Sequence, residues 1–496
     1  MKKILSLLLV CIMMCSVLAA CGSQNTAGGG SGVGMIEYDD TSVQPEIPSP
    51  DEIDISGDFY ILVSGNYVRN DFHSEGEENA TSVEIAIYRR NEYMKEKWGI
   101  NILDEDITKF GSTTGSGAGF TKIYTEHMSG ESSYDAASIG TYDVANLAMS
   151  GYIHDLYDIP YLDLTKPYWD QRANQDLSVL GKMYYTNGDI GVVNHMVTHA
   201  ILFNKDLVAQ YDLENPYDLV RNDEWTLEKF GQLVKSVGED VNNDGTYNEK
   251  DRYGLLTWND PMVAVLSSSN EKIATVNDKG EMVLSIYNER VIDLYDKFQN
   301  IVFDQQHAYN YQYDHSTGQA TPSSVWNVNR DAIFTESRAV FYLNTLATVE
   351  RHRDSDVDFG VLPYPKLDAS QDGYGHQVSA YHSQFICIPE MAINYERSGI
   401  VLEDLAYLGQ QMIKPAYYDQ TLVGKSVRDE DSVEMLDIIL ASRVYDLGAY
   451  YDIGTYKTQL GRLFVSRSNI TTIYETYRSS AEAKIKQIND KFSETN

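Results

Sequence analysis

The run Asp240-Val241-Asn242-Asn243-Asp244-Gly245-Thr246-Tyr247-Asn248-Glu249-Lys250-Asp251 sets oxygen donors where a hard cation needs them. Asp240, Asn242 and Asp244 stand at loop positions one, three and five, Gly245 at six, Asn248 at nine and Asp251 at twelve, which is the EF-hand calcium register. The glycine permits the sharp turn, and the backbone carbonyl of Thr246 supplies a further oxygen. Position twelve departs from the pattern, because Asp is one methylene shorter than the usual bidentate Glu. That predicts looser coordination and lower affinity. An Asn-Asp-Gly turn forms without metal too. If Ca2+ binds here, millimolar extracellular calcium suits a structural clip better than a sensor.

Catalytic signatures are otherwise scarce. Gly111-Ser112-Thr113-Thr114-Gly115-Ser116-Gly117-Ala118-Gly119 is glycine-rich, yet no Lys-Ser/Thr follows, and Phe120 spoils a dinucleotide fingerprint. No nucleophile elbow and no His-Glu-x-x-His occurs. His195 and His199 sit four apart in a segment that reads as strand or hinge, so they are expected to be partly exposed structural residues. Cys387, in the apolar run Phe385-Ile386-Cys387-Ile388, reads as a small core residue. The 73 acidic residues offer no privileged pair for glycoside hydrolysis, which needs two carboxylates a few ångströms apart in space.

These residues must be positioned by a chain too long for one hydrophobic core, which implies two domains. A net charge of -34 argues against nucleic acid, whose binding needs clustered Lys and Arg. A mean hydropathy of -0.36, with no later long apolar run, leaves no second membrane span. The 37 tyrosines serve cores and interfaces, and flat rings also stack on the apolar faces of sugars.

Residues 22–56 are rich in Gly, Ser, Asp and Pro and read as a flexible tether. Phe59-Tyr60-Ile61-Leu62-Val63 is the first expected strand. Thr81-Ser82-Val83-Glu84 has capping-box spacing, and Val83, Ile87, Met94 and Trp98 recur at helical intervals until Gly99 stops them. Ile100-Asn101-Ile102-Leu103 then resumes as strand, completing a βαβ unit with a parallel sheet. Tyr134-Asp135-Ala136-Ala137-Ser138-Ile139 adds a strand. Ile473, Tyr477, Ala481, Ile485, Ile488 and Phe492 mark a long amphipathic helix. The class is α/β.

The amino terminus is a secretory signal: Lys2 and Lys3 precede an apolar run over residues 4–18, then Leu18-Ala19-Ala20-Cys21. That ending resembles the lipobox of bacterial lipoproteins. The resemblance implies cleavage of residues 1–20, a diacylglycerol on the Cys21 sulfur and a further acyl chain, such as palmitate, on the new terminus. More than one chain is what stable anchoring needs. It places the protein on the extracellular face of the cell membrane.

A second resemblance runs along the chain. Asn187-Gly188-Asp189-Ile190, Leu202-Phe203-Asn204-Lys205-Asp206-Leu207, Tyr211-Asp212-Leu213-Glu214-Asn215-Pro216 and Glu224-Trp225-Thr226-Leu227-Glu228-Lys229-Phe230 follow one another in order. So do Tyr134-Asp135-Ala136 with Leu147-Ala148 and Gly151, Tyr253-Gly254-Leu255, Ala339-Val340-Phe341 and Asp358-Phe359-Gly360-Val361-Leu362-Pro363-Tyr364-Pro365-Lys366. The set resembles the carbohydrate-binding extracellular solute-binding proteins of ABC importers, the family that includes maltose-binding protein.

The resemblance implies a type II periplasmic-binding-protein-like fold: two α/β lobes, each a mixed, mostly parallel sheet flanked by helices, with hinge strands between. Crossings are expected near 191–198, 377–384 and 422–431. Lobe one would be 57–192 with 380–425, and lobe two 193–379 with 426–496. By the same resemblance Thr141, Tyr142, Asp143, Trp258, Asn259, Asn344, Tyr381 and Tyr451 line the cleft, aromatics for sugar faces and polar groups for hydroxyls. The expected protein is a monomer that catalyses nothing, captures a small solute (an oligosaccharide above all) and hands it to ABC permease subunits. Two alternatives stand beside it: a surface lipoprotein glycan hydrolase, and a sugar-sensing module for a membrane receptor.

Overall fold

The computed structural model describes residues 43–65, 68–108, 117–314, 321–323, 330–418 and 429–494. The signal, Cys21, most of the third crossing and most of the glycine-rich run lie outside these residues. No helix among the described residues is long and apolar enough to cross a membrane.

The first lobe grows from the βαβ unit. Strand β1 (Gly57–Ser64) buries Phe59, Ile61, Leu62 and Val63. The helix Ser82–Trp98 starts where the capping box puts it: Thr81 accepts from the Glu84 amide, and the Glu84 carboxylate accepts from the Thr81 amide. It stops at Gly99, whose φ of 66° is cheap only without a Cβ. Strands β2 (Ile100–Thr108) and β3 (Ala136–Gly140) flank β1 in parallel.

The chain then leaves for a second sheet. Its strands are β4 (His199–Asn204), β5 (Gly238–Glu239), β6 (Arg252–Thr257), β7 (Ala308–Asn310), β8 (Ala339–Thr345) and β9 (Phe359–Leu362). The order is β9-β4-β8-β6-β5, with β7 also on β6. Strands β9, β8, β6 and β7 run one way and β4 and β5 the other, so this is the expected mixed sheet with most strands in one direction. Strand β10 (Gln384–Cys387) returns to the first sheet, antiparallel on β3. The long helix Tyr395–Pro415 packs on Ser82–Trp98, the helix Glu430–Ala441 packs on β9, and the helix Ile470–Glu494 closes the chain.

Two expectations need correction. Residues 43–56 are not a loose tether: Gln44 donates to the Tyr407 hydroxyl at 2.7 Å, Glu46 pairs with Lys166 at 2.6 Å, and Ile55 is buried. Pro45, Pro48 and Pro50 lower the entropy that docking this segment costs. His195 and His199 are buried, because the segment carrying them threads between the lobes. Cys387 is a buried thiol, as its apolar run implied.

Candidate ligand-binding cleft

Ligands of open α/β sheets sit beyond the carboxyl ends of the strands. Here β1 and β3 end at Ser64 and Gly140, while β6, β7 and β8 lead into Trp258, Tyr311 and Leu346. Between these edges run the first two crossings, joined by the Thr198–Val378 bridge and the Ser379 amide on the Val197 carbonyl. Gly65 lets the β1 end approach β3 closely: a Cβ there would lie 2.9 Å from the Gly140 Cα, at a φ of +80°.

At one end of this boundary aromatic rings from both lobes and the second crossing gather. Tyr142, just after β3, meets Tyr381 of the second crossing with centroids 6.4 Å apart. The Lys457 ammonium lies 5.2 Å from both ring centroids and donates to the Ala380 carbonyl at 3.2 Å. Trp258 lies nearly parallel to Tyr311 (6.2 Å, 20°) and to His382 (6.5 Å, 16°). Asp260 sits at the start of the helix Pro261–Ser268. Burial pushes its carboxyl up to about 8, opposed by Lys457. Burial likewise lowers Lys457, against the pull of Asp452 and Asp260. It raises Tyr142 to about 12, with Asp260 and Asp452 adding to the effect.

Beneath the rings lies a layer of neutral polar groups. His199 and His382 are held down to about 3 by burial, so both imidazoles are neutral near pH 7. Neither ring nitrogen of His199, neither amide atom of Gln377, nor the Tyr364 hydroxyl finds a hydrogen-bond partner among the described residues. His376 is better served: its Nε2 accepts from the Tyr364 amide at 3.0 Å, which leaves the proton on Nδ1, facing the Ser442 hydroxyl at 2.7 Å.

Away from the aromatic contact the boundary opens into a groove of about 650 Å³. Arg69 and Glu84 line it from the first lobe, Met196 from the crossing, and Arg330, Glu350 and Arg351 from the second lobe. Its cations have partners already, with Arg69 on Asp71 at 3.3 Å and Arg351 on Asp331 at 3.0 Å.

Of the expected cleft residues, Tyr142 and Tyr381 meet directly, and Trp258 joins them through His382, whose ring lies 6.3 Å from that of Tyr381. Thr141 is fully buried beside them, its amide on the Ser383 carbonyl and its hydroxyl without a partner among the described residues. Asn259 is held by Gln312 and Tyr313, and the Asn344 side chain accepts from the Thr345 amide. The Asp143 carboxylate has a structural task, accepting from the Gly117 and Phe120 amides at the start of the helix Ala118–Ser129. Tyr451 packs elsewhere, against Tyr185 and Phe492. Lys457, His382 and Asp260 were missed. Only Asp260 left a trace in the sequence, as the Asp-Pro step that opens a helix.

In the loop 240–251 the expected ligands cap the loop's own backbone. Asp240 accepts from the Asp244 and Gly245 amides, Asn242 from Asp244, Asp244 from Thr246, and Asp251 from Val241 and Asn248. The Asn248 side chain donates to the Thr246 carbonyl at 3.1 Å and accepts from the Lys250 amide. Among the described residues no group of three or more His, Cys, Asp or Glu side chains is arranged to hold a metal ion.

No family model and no curated protein sequence matches the chain. Solved structures do. An ABC substrate-binding protein of Listeria monocytogenes in complex with cycloalternan matches with a TM-score of 0.54 and 12% identity, over 87% of this chain and 99% of that one. The chain has the fold of sugar-binding ABC solute-binding proteins. The lacto-N-biose complex of the galacto-N-biose/lacto-N-biose I-binding protein from Bifidobacterium longum gives 0.56 at 11% identity, over 87% and 97%. The maltose/maltodextrin-binding domain of Bdellovibrio bacteriovorus, bound to maltotriose, gives 0.54 at 15%, over 87% and 100%.

Proposed function

We propose that this chain is the substrate-binding protein of an ABC importer and clamps an oligosaccharide between its lobes without altering it. The observation that carries the reading is the aromatic cluster at the lobe boundary, in which Trp258 lies against Tyr311 and His382, and His382 leads on to Tyr381 and Tyr142. Flat rings cover the apolar faces of pyranoses, and the neutral His199, Gln377 and Tyr364 groups suit an uncharged, hydroxyl-rich guest. The lobes divide at 57–192 with 380–425 against 193–379 with 426–496, and ligand draws them together by a hinge motion. Calorimetry against a panel of oligosaccharides tests the ligand class. Saturable binding of at least one supports it, whereas binding only of peptides or polyamines overturns the sugar assignment.

The anchor is the Cys21 lipid, which keeps the binding protein beside its permease on the outer face of the membrane. Labelling with a radioactive fatty acid should mark the wild type and spare Cys21→Ser, and equal labelling of the two refutes it. Calcium is a structural clip in the loop 240–251, where binding would draw Asp240, Asp244 and Asp251 onto one ion. Millimolar Ca2+ should then raise the melting temperature above that in chelator, with the increment gone in Asp240→Asn. Equal melting with and without the ion removes the clip.

A further inference from the structure

A second cavity, of about 460 Å³, shares no lining residue with the charged groove. Its walls include Val192 and His195 of the first crossing, Lys414 and Tyr417 at the end of the helix Tyr395–Pro415, and Asp437 and Arg443 from the second lobe. That volume lies within the roughly 300–1,000 Å³ usual for small-ligand pockets. Three wall residues hold buried polar atoms with no hydrogen-bond partner among the described residues: His195 through Nδ1, Tyr417 through its hydroxyl, and Arg443 through Nε and Nη1. The remaining Arg443 nitrogen pairs with Asp170 at 2.8 Å. A buried polar atom left without a partner is costly, so these walls want hydrogen-bond partners that the protein does not supply.

The charges around the cavity narrow the chemistry. His195 is held neutral by burial, and Arg443 and Lys414 both press its imidazole further down, so the two cations converge on this spot. The Lys414 ammonium stays half exposed, paired with Asp189 at 3.0 Å. Asp437, whose carboxylate accepts from the Tyr418 hydroxyl, lines the same cavity and opposes a multiply charged anion. The geometry points to a binding site for a hydroxylated monocarboxylic acid of sugar-acid size. Its carboxylate meets Arg443 and Lys414, and its hydroxyls meet Tyr417, His195 and Asp437.

Because the walls come from both lobes and from the segment joining them, an occupant bridges the parts that move. A ligand that prefers one arrangement shifts the population toward it, which makes the cavity an effector site on lobe closure.

The test uses the full chain without saccharide, titrated with sodium D-gluconate and, at equal ionic strength, with sodium phosphate and sodium chloride. Gluconate is expected to bind saturably and raise the melting temperature, with phosphate and chloride matching each other and doing neither. Tyr417→Phe, which keeps the ring, and Lys414→Gln at the rim should each weaken gluconate about 3–10-fold, the scale of one lost hydrogen bond. Trp258→Ala should still bind gluconate saturably while losing saccharide, with no more than a modest change in gluconate affinity through the shared closure equilibrium, which separates this site from the cleft reading. No saturable gluconate binding, equal binding of phosphate, or loss of gluconate binding in Trp258→Ala each overturns the proposal.

Discussion

The two ends of the lobe boundary use different physics. At the aromatic end, Trp258, Tyr311 and His382 form a stack, and Lys457 bridges Tyr142 and Tyr381 from a buried position. At the groove end, arginines and glutamates line open space, their charges matched by Asp71 and Asp331. Dry aromatic surface is worth about 25 cal/mol per Å² buried, whereas an exposed ion pair contributes roughly 0–1 kcal/mol. Affinity should therefore concentrate where the rings are. The groove keeps the approach wet and soluble.

The largest effect should come from Trp258→Ala. If the aromatic end dominates, oligosaccharide affinity falls about 30–100-fold by calorimetry, the scale of a buried tryptophan hot spot. A loss under about threefold would move the site toward the groove and break the contrast.

Next comes the neutral layer under the rings. His199 has a folded-state pKa near 3, below its unfolded value of 6.5, so the unfolded chain takes up the proton first. Its stabilising contribution is complete above about pH 6.5 and is lost as pH falls toward 3. Between pH 6.5 and 5 the wild type should lose roughly 2 kcal/mol more stability than His199→Gln, measured by denaturant unfolding. Parallel pH profiles would mean that the imidazole is accessible and the layer wet.

Arg351→Gln should do least. With its guanidinium already on Asp331, its removal is expected to change oligosaccharide affinity by less than about threefold, and less still in high salt. A tenfold loss would put a charged ligand group in the groove and reverse the ranking of the two ends.

What the sequence revealed follows the range of the interactions. The capping box at Thr81, the stop at Gly99 and the apolar run 59–63 are local signals, and each lies where the spacing put it. Strand ends were legible too, which is why Tyr142 and Trp258 reached the boundary. The site's second tier was not. Lys457 reaches Tyr142 and Tyr381 only once distant segments pack, and no pattern around it announces a buried ammonium. Asp143 shows the opposite failure: it has the right residue type at the right strand end, but its oxygens are taken by two helix amides. Tyr451 fails for a similar reason, since a tyrosine-rich chain offers many rings to pack and this one found Tyr185 and Phe492.

Small-angle scattering with and without a saturating oligosaccharide tests the central claim, that the lobes close on a guest at the aromatic end. The account predicts a smaller radius of gyration with ligand in the wild type, and no change for Trp258→Ala at the same concentration. An unchanged radius in a sample shown by calorimetry to be saturated would contradict it.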